Sequence, residues 1–230
     1  MDNVINNKVI NKLITNCYNE VGYSIPNNKV PNKKNKYADY LDKIGNIYNG
    51  KKNGYDWCDI FVDYMFIYTY GVETGMQLLC QSYNGLGAGC TYSAKYYKNK
   101  NRFNNKPEIG SQIFFTNDNG KSSYHTGIVV NYTDNYVYTI EGNVSNSVAE
   151  RKYLINDIKI MGYGHPDWSI VKTDTDRYLT IEDIPAGFYR DSIKTIIDKG
   201  YLVGKDNGVL DLSDDMIRTI IICGRMCGVL

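Results

Sequence analysis

Asn53-Gly54-Tyr55-Asp56-Trp57-Cys58-Asp59-Ile60-Phe61-Val62-Asp63-Tyr64-Met65-Phe66-Ile67-Tyr68-Thr69-Tyr70-Gly71 begins as a turn and continues as a helix. Asn53-Gly54 is a turn pair. Phe61, Met65 and Tyr68 recur at helical spacing and Val62 and Phe66 widen the stripe, so Asp59 and Asp63 mark the opposite, wetter face. Gly71 stands where a helix C-terminus calls for glycine. Cys58 therefore falls in the first turn of a mostly buried helix. Unpaired backbone N–H groups and the positive end of the helix dipole favour a thiolate there. Two readings stand at this point: a small buried residue, as most free cysteines are, or a nucleophile, which needs a histidine and a polar partner from elsewhere in the chain.

Before this stretch, Asn3–Tyr18 carries Val4, Ile5, Val9, Ile10, Leu13, Ile14 and Cys17 at helical spacing. Residues 22–36, with Pro26 and Pro31, read as a loop, and Tyr37–Tyr48 as a weaker helix. After it, Val72–Cys80 and Thr91–Lys100 read as short helices. The loop between them holds Gly85, Gly87 and Gly89, but it lacks the preceding strand and the lysine–hydroxyl pair of a phosphate-binding loop. From Pro107 the pattern changes. Residues 110–116, 124–132, 136–142, 151–154 and 160–164 are short β-branched and aromatic runs separated by turn residues, Asn143–Asn146 among them. Helices first and an antiparallel sheet second is an α+β arrangement. Residues 169–176 form a polar link. Beyond it, Asp191–Lys199 reads as a helix ending at Gly200, Asp206-Asn207-Gly208 as a turn, and Ser213 as the cap of a last helix with Ile217, Ile220, Ile221 and Gly224 inward. The predicted domains are 1–170, the large α+β unit, and 177–230, a small helical module near the lower size limit for a stable fold.

The 230 residues are 43% hydrophobic, enough for a core, and the net charge of +1 argues against a nucleic-acid partner. Met1–Val9 has no apolar signal core, and runs such as Ile220–Cys223 are too short to span a bilayer. This predicts no export signal and no stable membrane insertion. Six Cys without a repeated pair pattern and only two His leave little for a zinc site, so no metal and no cofactor are predicted. The thiols read as reduced, with a Cys80–Cys90 bridge across the glycine loop left open. The 22 Tyr fit either an AT-rich genome or a groove that stacks on sugars or peptides.

His125 starts one predicted strand, and Glu141 and Asn143 end the next, with Thr133-Asp134-Asn135 between them. Hairpin register decides whether they meet. A three-residue loop puts Tyr132 opposite Tyr136 and His125 opposite Asn143, with Glu141 a diagonal neighbour about 7–8 Å away on the same face. A two-residue loop would send His125 to the face of Gly142. Cys–His–carboxylate and Cys–His–Asn sets share one logic: the ring takes the thiol proton and the third group orients the ring. Glu141 closes an otherwise apolar strand, where an unpaired carboxylate is costly. His165, in Gly164-His165-Pro166-Asp167, reads as an exposed turn outside the site.

Tyr55-Asp56-Trp57-Cys58-Asp59-Ile60-Phe61-Val62, Pro107–Phe115, His125-Thr126-Gly127-Ile128-Val129 and Tyr138-Thr139-Ile140-Glu141-Gly142-Asn143, in this order, resemble the CHAP family. These are cysteine, histidine-dependent amidohydrolases/peptidases of peptidoglycan, related to NlpC/P60 and papain-like folds. The resemblance covers about Asn3 to Trp168. It implies a papain-like domain, N-terminal helices packed on an antiparallel sheet, with Cys58 as nucleophile, His125 as base, Glu141 as the ring-orienting acid and Asn143 as an auxiliary polar group. The flanking residues Tyr55, Trp57, Tyr124 and Gly127 are assigned to substrate binding. Many members carry Gln before the cysteine; here it is Trp57, which leaves the Cys58 backbone N–H as the available oxyanion donor. Some relatives bind calcium through alternating Asp before the cysteine, and Lys51–Asp56 has no such run.

The layout resembles phage endolysins of Gram-positive hosts. Ile193–Arg218, through Gly200-Tyr201-Leu202-Val203-Gly204, resembles a single S-layer-homology-type repeat, which implies a module that binds wall polymer, docks or forms homo-oligomers. The function this implies is a bacteriolytic peptidoglycan hydrolase. It would be an endolysin cutting as endopeptidase or N-acetylmuramoyl-L-alanine amidase, held in the host cytoplasm before lysis and acting at the cell wall afterwards. Its rivals are a host autolysin or conjugation-associated hydrolase, and a catalytically silent wall-binding or assembly protein.

Overall fold

A helix that is apolar on nearly every side belongs inside a domain rather than on its surface. The computed structural model, which describes residues 2–26, 33–44, 51–82, 88–171, 177–205 and 209–230, places such a helix at the centre of its first unit. In chain order the helices are α1 (Asp2–Glu20), α2 (Lys36–Ile44), α3 (Cys58–Tyr70), α4 (Val72–Leu78) and α5 (Cys90–Asn99). Helix α3 is buried at every position from Cys58 to Ile67. The expected wet face at Asp59 and Asp63 is therefore wrong: both are buried, and Tyr68, placed in the inward stripe, is 54% exposed. The cause is that α1, α2, α4 and the sheet all pack on α3. Its acidic residues meet side-chain donors instead of water, as where Gln81 Nε2 donates to Asp63 Oδ1 at 2.7 Å.

The sheet contains β1 (Phe103–Asn104), β2 (Gln112–Phe115), β3 (His125–Tyr132), β4 (Tyr136–Val144), β5 (Ser147–Leu154) and β6 (Ile160–Gly164). The order is β1-β6-β2-β3-β4-β5, and every pair is antiparallel. Strand β1 is two residues long, too short to leave a sequence pattern. β5 starts earlier than expected because the turn before it is only Ser145-Asn146, both at positive φ (50° and 64°), which is the geometry of a tight hairpin. Ile128, Val130, Ile140 and Val148 join Phe61, Met65 and Phe66 in the main core. Ile113, Phe115, Val129, Val137 and Tyr163 form a smaller cluster. Alternation along β3 puts Ile128 and Val129 on opposite faces. The whole is the papain-like α+β arrangement, with helices packed on an antiparallel sheet.

The β3–β4 hairpin departs from the expected three-residue loop. Tyr132 pairs with Val137 and Thr133 N–H donates to Tyr136 O, so the turn is the two residues Asp134-Asn135. By itself that register would separate His125 from Glu141. A β-bulge at Val130 restores it: Asn131 pairs with Tyr138, but Val129 pairs with Thr139 and Ile128 with Ile140. One extra residue in β3 moves every side chain beyond it to the other face.

The chain divides into two compact units, Met1–Val171 and Lys172–Leu230. The second holds α6 (Phe188–Asp198) and α7 (Asp214–Met226), packed through Ile184, Ile193, Leu212, Ile217 and Ile221. Ser213 caps α7, its Oγ accepting from Met216 N–H at 3.3 Å. Gly85, Gly87, the turn Asp206-Asn207-Gly208 and the part of the second expected helix beyond Ile44 lie largely outside the described residues. Among the described residues, no helix is long and apolar enough to cross a membrane.

Candidate active site

Cys58 is the first residue of α3, and Trp57 before it makes no side-chain cap. The N–H groups of the first turn are therefore free of that competitor, and their dipole bears on the sulfur. Cys58 is 5% exposed. Its Sγ lies 3.5 Å from Sγ of Cys90, the first residue of α5.

His125, at the start of β3, stands close enough to the same sulfur to bear on its charge. Its Nε2 lies 2.8 Å from Glu141 Oε2, which leaves Nδ1 free of that carboxylate. Glu141 is 1% exposed and also accepts from Thr139 Oγ1 at 2.5 Å and from Tyr153 OH at 3.1 Å. Gly127 stands across from it on β3, and a Cβ there would collide with Glu141 Cγ. Glycine at 127 thus makes the space in which the carboxylate lies under the ring. A Cβ on Gly142 would likewise strike Phe61 Cβ, so glycine lets β4 press against α3.

The Cys90 thiol, hydrogen-bonded to the Cys58 sulfur, and the neighbouring His125 lower the Cys58 pKa to about 5 against the opposing effect of burial. Burial opposes a charged His125, but the neighbouring Cys58 sulfur and the Glu141 carboxylate outweigh that and raise it to about 9. Cys58 below and His125 above neutrality make the resting pair a thiolate beside an imidazolium. Acidification through about 5 protonates the Cys58 thiolate, and alkalinisation through about 9 removes the His125 proton. A plot of kcat/KM against pH should therefore be flat in between and fall on both sides. A monotonic profile through neutrality would contradict the pair.

Asp59 was misplaced by the sequence pattern and organises the floor of the site. Its Oδ2 accepts from Gly89 N–H at 2.5 Å and Ser93 Oγ at 2.7 Å, and its Oδ1 from Gln112 Nε2 at 2.8 Å. Gln112 also donates to Thr126 Oγ1, beside His125, at 3.1 Å. Burial raises the Asp59 pKa to about 6, and these donors work against the rise.

The other expected site residues divide. Tyr124 is 51% exposed and its ring stacks on that of His125, and Tyr55 is 66% exposed three residues before Cys58. Both are open to a substrate. Trp57 is not: it is fully buried and stacks on Tyr37, so it is a packing group. Gly127 is buried beneath Glu141 and gives room rather than contact. Asn143 directs Nδ2 to Asp56 Oδ1 at 3.4 Å rather than to the imidazole, bracing the segment that leads into Cys58. His165 is buried, not exposed, with Nδ1 2.9 Å from Ser111 Oγ. Cys80 is a free thiol, and the sulfur beside Cys90 is that of Cys58. Sequence reasoning missed Cys90, Thr139, Tyr153 and Gln112. Only Gln112 left a sign, as a polar residue opening the apolar run Ile113-Phe114-Phe115.

Residues 50–143 match the family model described as CHAP domain. None of the curated proteins and none of the solved structures matches the chain. The matched stretch carries Cys58, His125 and Glu141 in the geometry above, so this part of the chain is similar to the CHAP domain, a domain of peptidoglycan hydrolases.

Proposed function

We propose that the protein is a cysteine peptidoglycan hydrolase in which Cys58, His125 and Glu141 do the chemistry, acting as an endolysin on the wall of a Gram-positive host. The Cys58 thiolate attacks an amide carbon of the stem peptide, the cross-bridge or the muramyl–alanine link. The developing oxyanion takes the Cys58 backbone N–H. His125 gives its proton to the leaving amine, then draws one from the water that releases the acyl-enzyme. Glu141 keeps the ring oriented and its charge balanced. Tyr55 and Tyr124 contact the substrate beside the nucleophile. The observation that carries this reading is that His125, held by Glu141 at 2.8 Å, neighbours Cys58 at the start of α3 and lowers its pKa. Mass spectrometry of fragments released from purified peptidoglycan tests it. New amine and carboxyl termini at one amide position support it and separate endopeptidase from amidase; intact peptidoglycan after prolonged incubation refutes it.

Residues 177–230 serve, in the same proposal, to bind wall polymer or to assemble copies, and supply no catalytic group. The motive is that this segment has its own small apolar cluster and no histidine. Truncation after Val171 keeps Trp168, Ile170 and Val171, which pack on the main core. The fragment should cleave soluble muropeptides at a near-normal rate and bind intact walls less well. A folded fragment unable to cleave the soluble substrate would overturn this assignment.

A further inference from the structure

Cys90 has no part in the chemistry described so far, yet its sulfur is 3.5 Å from the nucleophile's. That is hydrogen-bond range for sulfur and well beyond the roughly 2.05 Å of a disulfide. Both thiols are buried, and each opens a helix, so two helix N-termini converge on the pair. The approach is held from two sides. Asp59, next to Cys58, accepts from Gly89 N–H and Ser93 Oγ and so ties the first turn of α5 to α3. Thr91 Oγ1 donates to Ser123 O and accepts from Ser123 N–H, both at 3.1 Å, which ties the same turn to the segment entering His125.

We propose that Cys90 is a further residue of the catalytic machinery, its S–H donating a hydrogen bond to the Cys58 thiolate in the resting enzyme and sharing with His125 the stabilisation of that charge. The proposal rests on Cys58 being the nucleophile. The groups facing the pair fit this division of labour. His125, backed by Glu141, approaches from the strands, while Asp59 on α3, with Lys52 near it, puts negative charge beside Cys90. The bond to Cys58, burial and the charges of Cys58 and Asp59 all raise the Cys90 pKa, so Cys90 keeps its proton while Cys58 gives one up. A donor to the ground-state thiolate has a defined cost. It populates the nucleophile at lower pH but makes each thiolate less reactive, since nucleophilicity falls with thiol pKa.

The test is the pH profile of Cys58 alkylation by iodoacetamide in the full chain, followed by peptide mass spectrometry in the wild type, Cys90→Ala and Cys90→Ser. Cys90→Ala should move the midpoint up by about one pH unit, and Cys90→Ser, which keeps a donor, by less. Hydrolysis by Cys90→Ala should drop on the acid side only and equal or exceed wild type at mildly alkaline pH, a crossing that a merely structural residue would not give. An alanine profile that superimposes on wild type overturns the proposal. Should Cys90→Ala fail to fold by circular dichroism, the wild type decides. Treated with diamide, which takes up the two electrons and two protons released by the thiols, it should yield one Cys58–Cys90 cross-linked peptide. Failure of that cross-link to form overturns the proposal. The underlying reading fails separately: a Cys58→Ala chain that still hydrolyses peptidoglycan removes the nucleophile, whatever the alkylation profiles show.

Discussion

Cys58→Ser lowers peptidoglycan hydrolysis by at least about 10³-fold and leaves the circular dichroism spectrum and melting temperature close to wild type. Serine is nearly isosteric with cysteine and has its own hydroxyl to offer Cys90, so α3 is not disturbed. The chemistry is. The structure draws the Cys58 pKa down to about 5 and pushes His125 up to about 9, which stores the nucleophile as a thiolate before substrate arrives. A hydroxyl titrates far above the imidazole, so the same surroundings cannot hold it as an alkoxide. Hydrolysis by folded Cys58→Ser within ten-fold of wild type would end the cysteine mechanism. The assay is release of soluble fragments from purified walls, with refolding controls.

Glu141→Gln lowers kcat by roughly 10²–10⁴-fold and moves the alkaline limb of the pH profile down. The amide keeps the shape of the carboxylate in a fully enclosed site. Its oxygen is able to accept from His125 and Tyr153, and its NH₂ is able to donate to Thr139, whose hydroxyl turns to accept. Folding survives, and only the charge is lost. The imidazolium then has Cys58 alone to balance it, burial works against it, and the ring loses its proton at lower pH. The measurement is kcat and kcat/KM across pH with a soluble muropeptide. Activity within three-fold of wild type and an unmoved alkaline limb would show that Glu141 only fills space.

The placement of Cys58, His125 and Glu141 was legible because each sits in a strong local pattern: Cys58 at the start of an apolar helical run, His125 and Glu141 at the ends of alternating strands. What lies between those patterns was not. Asp59 was assigned to water because amphipathic reasoning presumes one wet face, and α3 has none from Cys58 to Ile67. Cys90 stands 32 positions after Cys58, and only packing of α5 beside α3 brings their sulfurs together. The juxtaposition of His125 and Glu141 was anticipated by a wrong route. The odd offset comes not from a three-residue loop but from Val130, an ordinary β-branched residue whose bulge leaves no mark in the sequence. Trp57 was placed with the substrate because it adjoins Cys58 in the chain, but the side chain before a helix is directed by the core it packs on, here Tyr37.

That bulge makes the hairpin's outer end separable from its inner end. The pair Ile128–Ile140 is flanked by Gln112 of β2 and Glu150 of β5, whereas beyond the bulge Asn131 and Tyr132 of β3 have no β2 partner and only the β4 side is held, by β5 through Val137–Tyr153 and Tyr136–Leu154. A residue gained or lost at the turn is absorbed by shifting or healing the bulge, and the catalytic half keeps its alignment. The same indel between His125 and Val129 has no such joint and would rotate the imidazole away from its carboxylate. Insertions and deletions in this hairpin are therefore better borne at Asp134-Asn135 than at the His125 end.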